Sequence, residues 1–400
     1  MDKELKNFNY LNMTQILGVI NDNLFKLLLV FFLIDQYGEK SSSAVLALAG
    51  AVFVFPFLLL SVPSGGLADK ISKQKIVFWT KAAEVLTTII GTLAFAFDSP
   101  FLLYSVLFLL AIQGAIFGPS KYSIVPELVS HDKLSKANGL LVSFTFLGII
   151  IGTFLAGPLI QLTNKNYILA SSVCIVLALM GFFFSLKIPH TMAAKSSKPI
   201  PYYFISDIFN TYRKALKIKG LLPSMLGSAF FLFIGGFAQL NIIPFTIDAL
   251  KKSDIMGSYI FLLTAFGIGG GSLVAAKISG KKIKLKLSPW GGLGMVFCFI
   301  GLGVLPPSLL VSLSLLFLLG FFGGLYLVPL DSYIQASSPP KECGQNVAAN
   351  NFTGFVGVLG ASGLIYLFAE VLHITPATGF AIVGVLTALV TAALASRIGK

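Results

Sequence analysis

Five polar side chains crowd into positions 15 to 26 of the first apolar run: Gln15, Asn21, Asp22, Asn23 and Lys26. Asp22 and Lys26 stand four apart with the acid first, a spacing at which two helical side chains share a face. At the centre of a bilayer each charge costs about 2.5–3.5 kcal/mol on the insertion scale. Two charges and their flanking amides therefore require a wet cavity, a ligand, or a pair that satisfies itself. Ionisable groups at membrane depth are where substrates and ions pass. Asn21, Asp22, Asn23 and Lys26 are accordingly candidate substrate contacts.

A second constellation comes from two later runs. The fourth ends Gln113-Gly114-Ala115-Ile116-Phe117-Gly118-Pro119-Ser120-Lys121-Tyr122, and the tenth ends Gly323-Gly324-Leu325-Tyr326-Leu327-Val328-Pro329-Leu330-Asp331-Ser332-Tyr333. With the two prolines aligned, Lys121 falls opposite Asp331. Opposite charges at matching depth suit a salt bridge that gates one face, or a pair that holds a zwitterion. Their position near the run ends favours the gate. In the eleventh run, Gln345, Asn346, Asn350 and Asn351 offer amides to a polar headgroup or to neighbouring helices.

Enzymatic chemistry finds no foothold. An acyltransferase typically places Asp five positions after a base histidine. Five after His131, His190 and His373 stand Lys136, Lys195 and Thr378. Cys174, Cys298 and Cys343 have no paired spacing and read as packing residues. No catalytic residue, metal site or cofactor is expected.

The elements that must position these groups follow from composition. Of 400 residues, 56% are hydrophobic and 11% charged, against about 25% charged in a soluble domain. A globule of this size cannot hide that much apolar surface, whereas lipid can. Twelve apolar runs, at 10–35, 43–64, 76–97, 101–123, 138–161, 167–187, 221–247, 257–278, 288–306, 308–330, 346–369 and 375–396, approach or exceed the roughly 20 residues that cross a bilayer as a helix. Residues 1 to 6 are polar and lead directly into the first run, so no cleavable signal is expected. The polar, basic stretch 188–220 divides the chain into an N-terminal six-helix bundle, 1–187, and a C-terminal one, 221–400.

The net charge of +13 is one-sided. With both termini in the cytoplasm, twenty-two of the 29 Lys and Arg lie on the inner side and four (Lys40, Lys165, Lys251 and Lys252) on the outer. Lys26, Lys81 and Lys121 fall within or at the ends of runs. That asymmetry sets the orientation, and it accounts for the basic charge through anionic inner-leaflet lipids, with no nucleic acid involved. Between Tyr202 and Lys219, apolar Ile205, Ile208, Phe209, Tyr212 and Leu216 alternate with basic residues. That pattern suits a helix on the inner membrane surface or a solvated linker helix.

The loop after the second run reads Gly65-Gly66-Leu67-Ala68-Asp69-Lys70-Ile71-Ser72-Lys73-Gln74-Lys75. It resembles the signature loop of the major facilitator superfamily, with Ser72 where glycine is usual. Asp69 is expected to cap the helix that follows and to pair with basic groups across the bundles. The second half echoes it from Gly271 to Lys282, with Ala275 in place of the acid, which supports two six-helix repeats. Gly148, Gly152 and Gly157-Pro158 in the fifth run read as close helix packing.

Several segments together resemble the lysophospholipid transporter (LplT-like) branch of that superfamily. They are Asn21-Asp22-Asn23-Leu24-Phe25, Pro119-Ser120-Lys121-Tyr122, Lys136-Ala137-Asn138-Gly139-Leu140, and Gly323-Gly324 through Val328-Pro329-Leu330. The resemblance implies an all-α membrane protein with the major facilitator fold, twelve transmembrane helices in two six-helix bundles. It implies a carrier of lysophosphatidylethanolamine and lysophosphatidylglycerol from the outer to the inner leaflet of a bacterial inner membrane. A separate or fused acyltransferase would then re-acylate them. It maps the family's intramembrane acid onto Asp22 and its fourth-helix base onto Lys121. The family pattern also has a base in the seventh helix, where Gly235 to Asn241 holds none, leaving Gln239 and Asn241 as neutral hydrogen-bond partners.

The expected substrate contacts are thus Asp22, Lys26, Asn21, Asn23, Gln239, Asn241 and Asn350, and the expected gating residues Asp69, Lys121 and Asp331. The expected partners are the lysophospholipid and membrane lipids, with the chain acting as a monomer. The alternative is a proton-coupled exporter of drugs or small metabolites. Such carriers often have a membrane arginine three residues before Gln113-Gly114, where this chain has Leu110.

Overall fold

A computed structural model describes residues 3–38, 42–196 and 204–398. Lys40, Lys198 and Lys400, three of the charges in the orientation argument, lie outside the described residues, as does the Tyr202 end of the amphipathic segment. Twelve described helices are long and apolar enough to cross a membrane. Before the linker these are α1 (Lys3–Tyr37), α2 (Ser42–Lys70), α3 (Lys73–Ala96), α4 (Pro100–Ser123), α6 (Leu134–Leu162) and α7 (Tyr167–Leu186). After it come α9 (Leu221–Asp248), α10 (Asp254–Ser279), α11 (Leu287–Val304), α12 (Leu309–Ser337), α13 (Cys343–Tyr366) and α14 (Pro376–Ile398). The single turn α5 (Val125–Leu128) precedes α6, and α8 (Phe204–Ala215) is the linker helix.

Local chemistry sets several of these ends. Asp98 turns the chain with φ 47°, then Ser99 Oγ accepts from Leu102 N at 3.4 Å and Pro100 opens α4. Asn166 caps α7 in the same way, through Leu169 N at 3.0 Å. Elsewhere the helices outrun their apolar cores. α1 begins at Lys3 and α12 continues through Pro329 to Ser337, since polar flanks outside hydrocarbon remain helical and a membrane helix tolerates an internal proline. The stretch read as a loop from Gly65 is helical as far as Lys70, being the last turns of α2. Ser72, at the N-cap of α3, has φ −58°, a conformation open to any residue, so serine replaces glycine there without strain.

Contacts divide the chain into two compact units. The first comprises 1–129, 147–208 and 339–349; the second comprises 130–146, 209–338 and 350–400. In the first, α1 packs on α2, α4 and α7, α2 on α4, and α3 on α4 and α7. The second repeats that scheme six spans later: α9 packs on α10, α12 and α14, α10 on α12, and α11 on α12 and α14. The fifth and eleventh spans, α6 and α13, depart from chain order. Each has its first turns in one unit and its remainder in the other.

Helix contact in the second unit depends on absent side chains. A Cβ at Gly271 of α10 would stand 1.9 Å from the Phe321 carbonyl oxygen of α12, and one at Gly324 of α12 would stand 2.5 Å from the Ile268 carbonyl oxygen of α10. The Gly271 segment is therefore the helical body of α10 set backbone to backbone against α12, a form of close approach that glycine allows.

Candidate functional site

The 3.6-residue period of α1 puts Gln15, Asp22 and Lys26 on one stripe, with Gly18 and Asn21 on one flank and Asn23 on the other. α3 supplies a buried ion pair to the Gly18 flank, Lys81 Nζ to Glu84 Oε2 at 2.5 Å. Gly18 makes room for it, since a Cβ there would stand 2.2 Å from Lys81 Nζ. Asn21 Nδ2 donates to the other carboxylate oxygen, Glu84 Oε1, at 3.0 Å. Each oxygen of this buried acid thus has a donor, as a charge out of water requires. Asn21 Oδ1 is buried and has no donor among the described residues.

α4 adds a third cation. The ammonium of buried Lys121 donates to Gln15 Oε1 at 3.4 Å and lies 4.5 Å from the Tyr122 ring centroid. The Phe117 ring lies 4.9 Å from Lys81 Nζ and 6.0 Å from Lys121 Nζ, so one aromatic ring serves two cations. Nearby, Gln113 Nε2 donates to Thr87 Oγ1 at 2.5 Å.

Asp22 differs from all of these. It is half-buried, and its carboxylate has no hydrogen bond or ion pair among the described residues. The charges that act on it are those of Glu84, Lys81, Lys26 and Lys121. The pair with Lys26 that the spacing allows does not close. The Lys26 ammonium instead lies 5.3 Å from the Phe53 ring centroid of α2, because the long stem carries it onto an aromatic face. What remains is a half-buried carboxylate without a hydrogen-bond partner among the described residues, with cations close by.

The structure thus gathers Asn21, Asp22, Lys26 and Lys121 in the first unit and sets Asn23 apart. Asn23 Nδ2 donates to Val19 O of its own helix at 2.9 Å, on the flank where α6 approaches at Gly152. In the second unit Asn350 Nδ2 donates to Ser228 Oγ at 3.1 Å, which donates to Asp331 Oδ1 at 2.8 Å. Asn350 and Asp331 are therefore joined through Ser228. Gln239 is exposed and lies about 16 Å further along α9 than Ser228, eleven residues at 1.5 Å each. Asn241 Nδ2 donates to Pro376 O at 2.8 Å and ties α9 to the start of α14.

Asp69 caps a helix, but not the one that follows it. Its Oδ1 accepts from Gly344 N at 2.7 Å and its Oδ2 from Gln345 N at 2.9 Å. The capped helix is α13, while Ser72 precedes α3 with no side-chain cap bond. The reason is steric. Without a Cβ, Gly65 lets the last turns of α2 approach Gly344 and Ala348, where a Cβ would stand 2.4 Å from Ala348 Cβ. The carboxylate thus meets two unpaired N–H groups at a helix start. Asp69 O also accepts from Ser196 N at 3.0 Å, and Lys73 pairs with Glu127.

Sequence reading noted Lys81 and, as a protonatable candidate for an exporter, Glu84, but paired neither these two nor Asn138 with Gln335. Lys81 and Glu84 form an acid–base pair at helical spacing inside an apolar run, the same signal that exposed Asp22 and Lys26. Asn138 and Gln335 exchange two amide hydrogen bonds, at 2.9 and 2.7 Å. No local pattern announces that pair, because the partners are 197 residues apart.

Twelve spanning helices in two six-span repeats, with ionisable groups buried between helices of the first, define a multi-pass membrane transporter. The chain matches the profile of the Major Facilitator Superfamily over residues 11–362, and it belongs to that family. It is similar to the lysophospholipid transporter LplT of Klebsiella pneumoniae (strain 342), 28% identical over 368 residues that cover 89% of this chain and 87% of that one. It is likewise 26% identical over 377 residues to LplT of Enterobacter sp. (strain 638), covering 93% and 89%. Among solved structures it resembles the human organic anion transporter MFSD10, with TM-score 0.81, 14% identity and 98% and 100% of the two chains covered. It also resembles the E. coli fucose:proton symporter FucP, with TM-score 0.78, 14% identity and 99% of each covered. These two likenesses concern the fold. The fold and family are those of transporters and not of enzymes.

Proposed function

We propose that the chain carries lysophospholipids, lysophosphatidylethanolamine and lysophosphatidylglycerol, from the outer to the inner leaflet of a bacterial inner membrane. Both termini face the cytoplasm, and a separate or fused acyltransferase re-acylates the product. The observation that carries this reading is the half-buried Asp22 carboxylate, without a hydrogen-bond or ion-pair partner among the described residues, beside Lys26 and the amides of Asn21 and Asn23 on one helix. A lysophosphatidylethanolamine headgroup calls for a carboxylate for its ammonium and a cation for its phosphate; lysophosphatidylglycerol shares the phosphate but carries neutral hydroxyls instead of the ammonium, and both need apolar walls for a single chain. Asp22 takes the ammonium of lysophosphatidylethanolamine and Lys26 the phosphate, with Asn21 on one flank of that stripe and Asn23 on the other. The names of the similar proteins from Klebsiella and Enterobacter support the same substrate class.

In this reading Gln239, Asn241 and Asn350 complete the substrate contacts from the second repeat, and the carrier acts as a monomer. Asp69, Lys121 and Asp331 are gating residues. The cap of Asp69 on α13 supports its part, because any motion that parts α2 from α13 gives up two charge-assisted hydrogen bonds.

The test is uptake of labelled lysophosphatidylethanolamine and lysophosphatidylglycerol into spheroplasts. Asp22→Asn is expected to lower lysophosphatidylethanolamine uptake about tenfold or more, since a hydrogen bond to a charged group is worth about 1.5–3 kcal/mol. Unchanged uptake removes Asp22 from the mechanism. If the unaltered protein moves no lysolipid but drives a soluble compound with a pH gradient, it is the exporter instead.

A further inference from the structure

Away from the polar cluster, the second unit contains a cavity of about 740 Å³ between the end of the linker, α9 and the last turns of α14. Its walls are apolar, with Leu222, Leu226 and Phe230 from α9 and Val390 and Leu394 from α14. The two charged residues that line it are both cations, Lys219 and Arg397. Both are exposed, and neither side chain is in an ion pair among the described residues.

The edge that carries Lys219 is built. Tyr333 of α12 donates its hydroxyl to Lys219 O at 2.7 Å. Gly220 follows in the left-handed region, φ +75°, and a Cβ there would stand 3.2 Å from the Tyr333 ring, so the turn from linker to α9 needs glycine. Tyr212 of α8 hydrogen-bonds Thr353 of α13. The linker is thereby fastened to the second unit at two tyrosines. Phe209 and Leu216 remain exposed beside basic Arg213 and Lys217, the signature of a helix lying at a membrane surface.

We propose that this groove binds an anionic phospholipid of the leaflet on the linker side, with its phosphate between Lys219 and Arg397 and one acyl chain along α9 and α14. Charge selects the occupant. Among the described residues no acid lines the groove to receive an ammonium, so a zwitterionic headgroup would set its cation against two others. A phosphatidylglycerol-type headgroup meets only attraction. The site is separate from the Asp22 cluster and takes a two-chain membrane lipid as a resident, not as cargo.

Native mass spectrometry of the purified full chain, titrated with dioleoylphosphatidylglycerol, tests this. Each of Lys219→Gln and Arg397→Gln is expected to weaken retention of one phosphatidylglycerol about fivefold, the equivalent of about 1 kcal/mol per basic residue. Leu226→Trp, which fills the wall without touching charge, is expected to displace the same lipid. Lys281→Gln/Lys282→Gln, basic residues outside the groove, and Asp22→Asn are expected to leave it bound. Equal retention in the Lys219→Gln/Arg397→Gln double variant overturns the proposal, as does equal retention of dioleoylphosphatidylcholine by the unaltered chain. Loss as large in the Lys281/Lys282 variant, or unchanged retention in Leu226→Trp, also overturns it. Competition by glycerol 3-phosphate at the affinity of the lipid makes the groove a free-phosphate site and overturns the lipid assignment.

Discussion

The two compact units share one packing scheme but not one chemistry. Among the described residues, every charged side chain that is fully buried (Asp69, Lys73, Lys81, Glu84 and Lys121) belongs to the first unit. Around α1 those charges are matched by amides and aromatic faces: Glu84 by Lys81 and Asn21, Lys121 by Gln15 and Tyr122. The second unit fills the corresponding space with rings and close backbones. Phe380 of α14 packs against Phe237, Phe245 and Phe299 at centroid distances of 6.0, 5.3 and 6.0 Å, and α10 meets α12 through Gly271 and Gly324. The two units thus share which helices touch and differ in what they bury.

Breaking the charge balance of the first unit is expected to do the most damage. Lys81→Met leaves Glu84 buried without its cation, and removing one partner of such a pair costs about 3–5 kcal/mol. Thermal unfolding of the purified protein should show a large drop, and Lys81→Met/Glu84→Leu should recover most of it. A double variant as unstable as the single would mean that the first unit does not depend on charge balance.

The matching blow to the second unit is steric. Gly271→Val puts a branched side chain where the Phe321 carbonyl oxygen lies, and overpacking of this kind costs about 1–3 kcal/mol or more. Its melting temperature should fall by the same amount at low and high salt, since no charge is involved. A salt-dependent loss would blur the contrast between the units.

The smallest effect is expected where a charge meets a dipole. Asp69→Asn keeps an acceptor for α13 but loses the anionic cap, a change of about 0.5–2 kcal/mol. Hydrogen exchange should accelerate at the Gly344 and Gln345 amides before the global stability falls. Unaltered protection there would show that the carboxylate charge adds nothing to the cap.

How much was legible in the sequence depended on the range of the physics involved. The spanning helices could be read because each must satisfy its own backbone in lipid, which leaves a continuous apolar run in the chain. The ends of α2 and α12 could not, because polar residues past the hydrocarbon edge remain helical and leave no break in pattern. Asp22 could be flagged, since a charge among apolar residues stands out by itself. Its partner could not be assigned: spacing offered Lys26, but the lysine stem reached Phe53 on another helix. Asp69 was recognisable as a cap, yet the helix it caps begins 274 residues later at Cys343, brought there by the close approach of α2 at Gly65.

The chain alone thus determined the membrane class, the twelve spans, the six-span repeat and the presence of costly polar groups. Each of these is a property of local composition and period. Tertiary structure alone decided which polar groups meet, which stay open, and which helix start a given carboxylate serves. Those outcomes turn on contacts a few ångströms wide between residues tens or hundreds of positions apart, and no local pattern encodes them. The first apolar run marks the clearest boundary between the two: sequence located Asp22 and Lys26 within it, and only the fold showed that, among the described residues, the Asp22 carboxylate has no hydrogen bond or ion pair while Lys81, Glu84 and Lys121 of α3 and α4 are engaged.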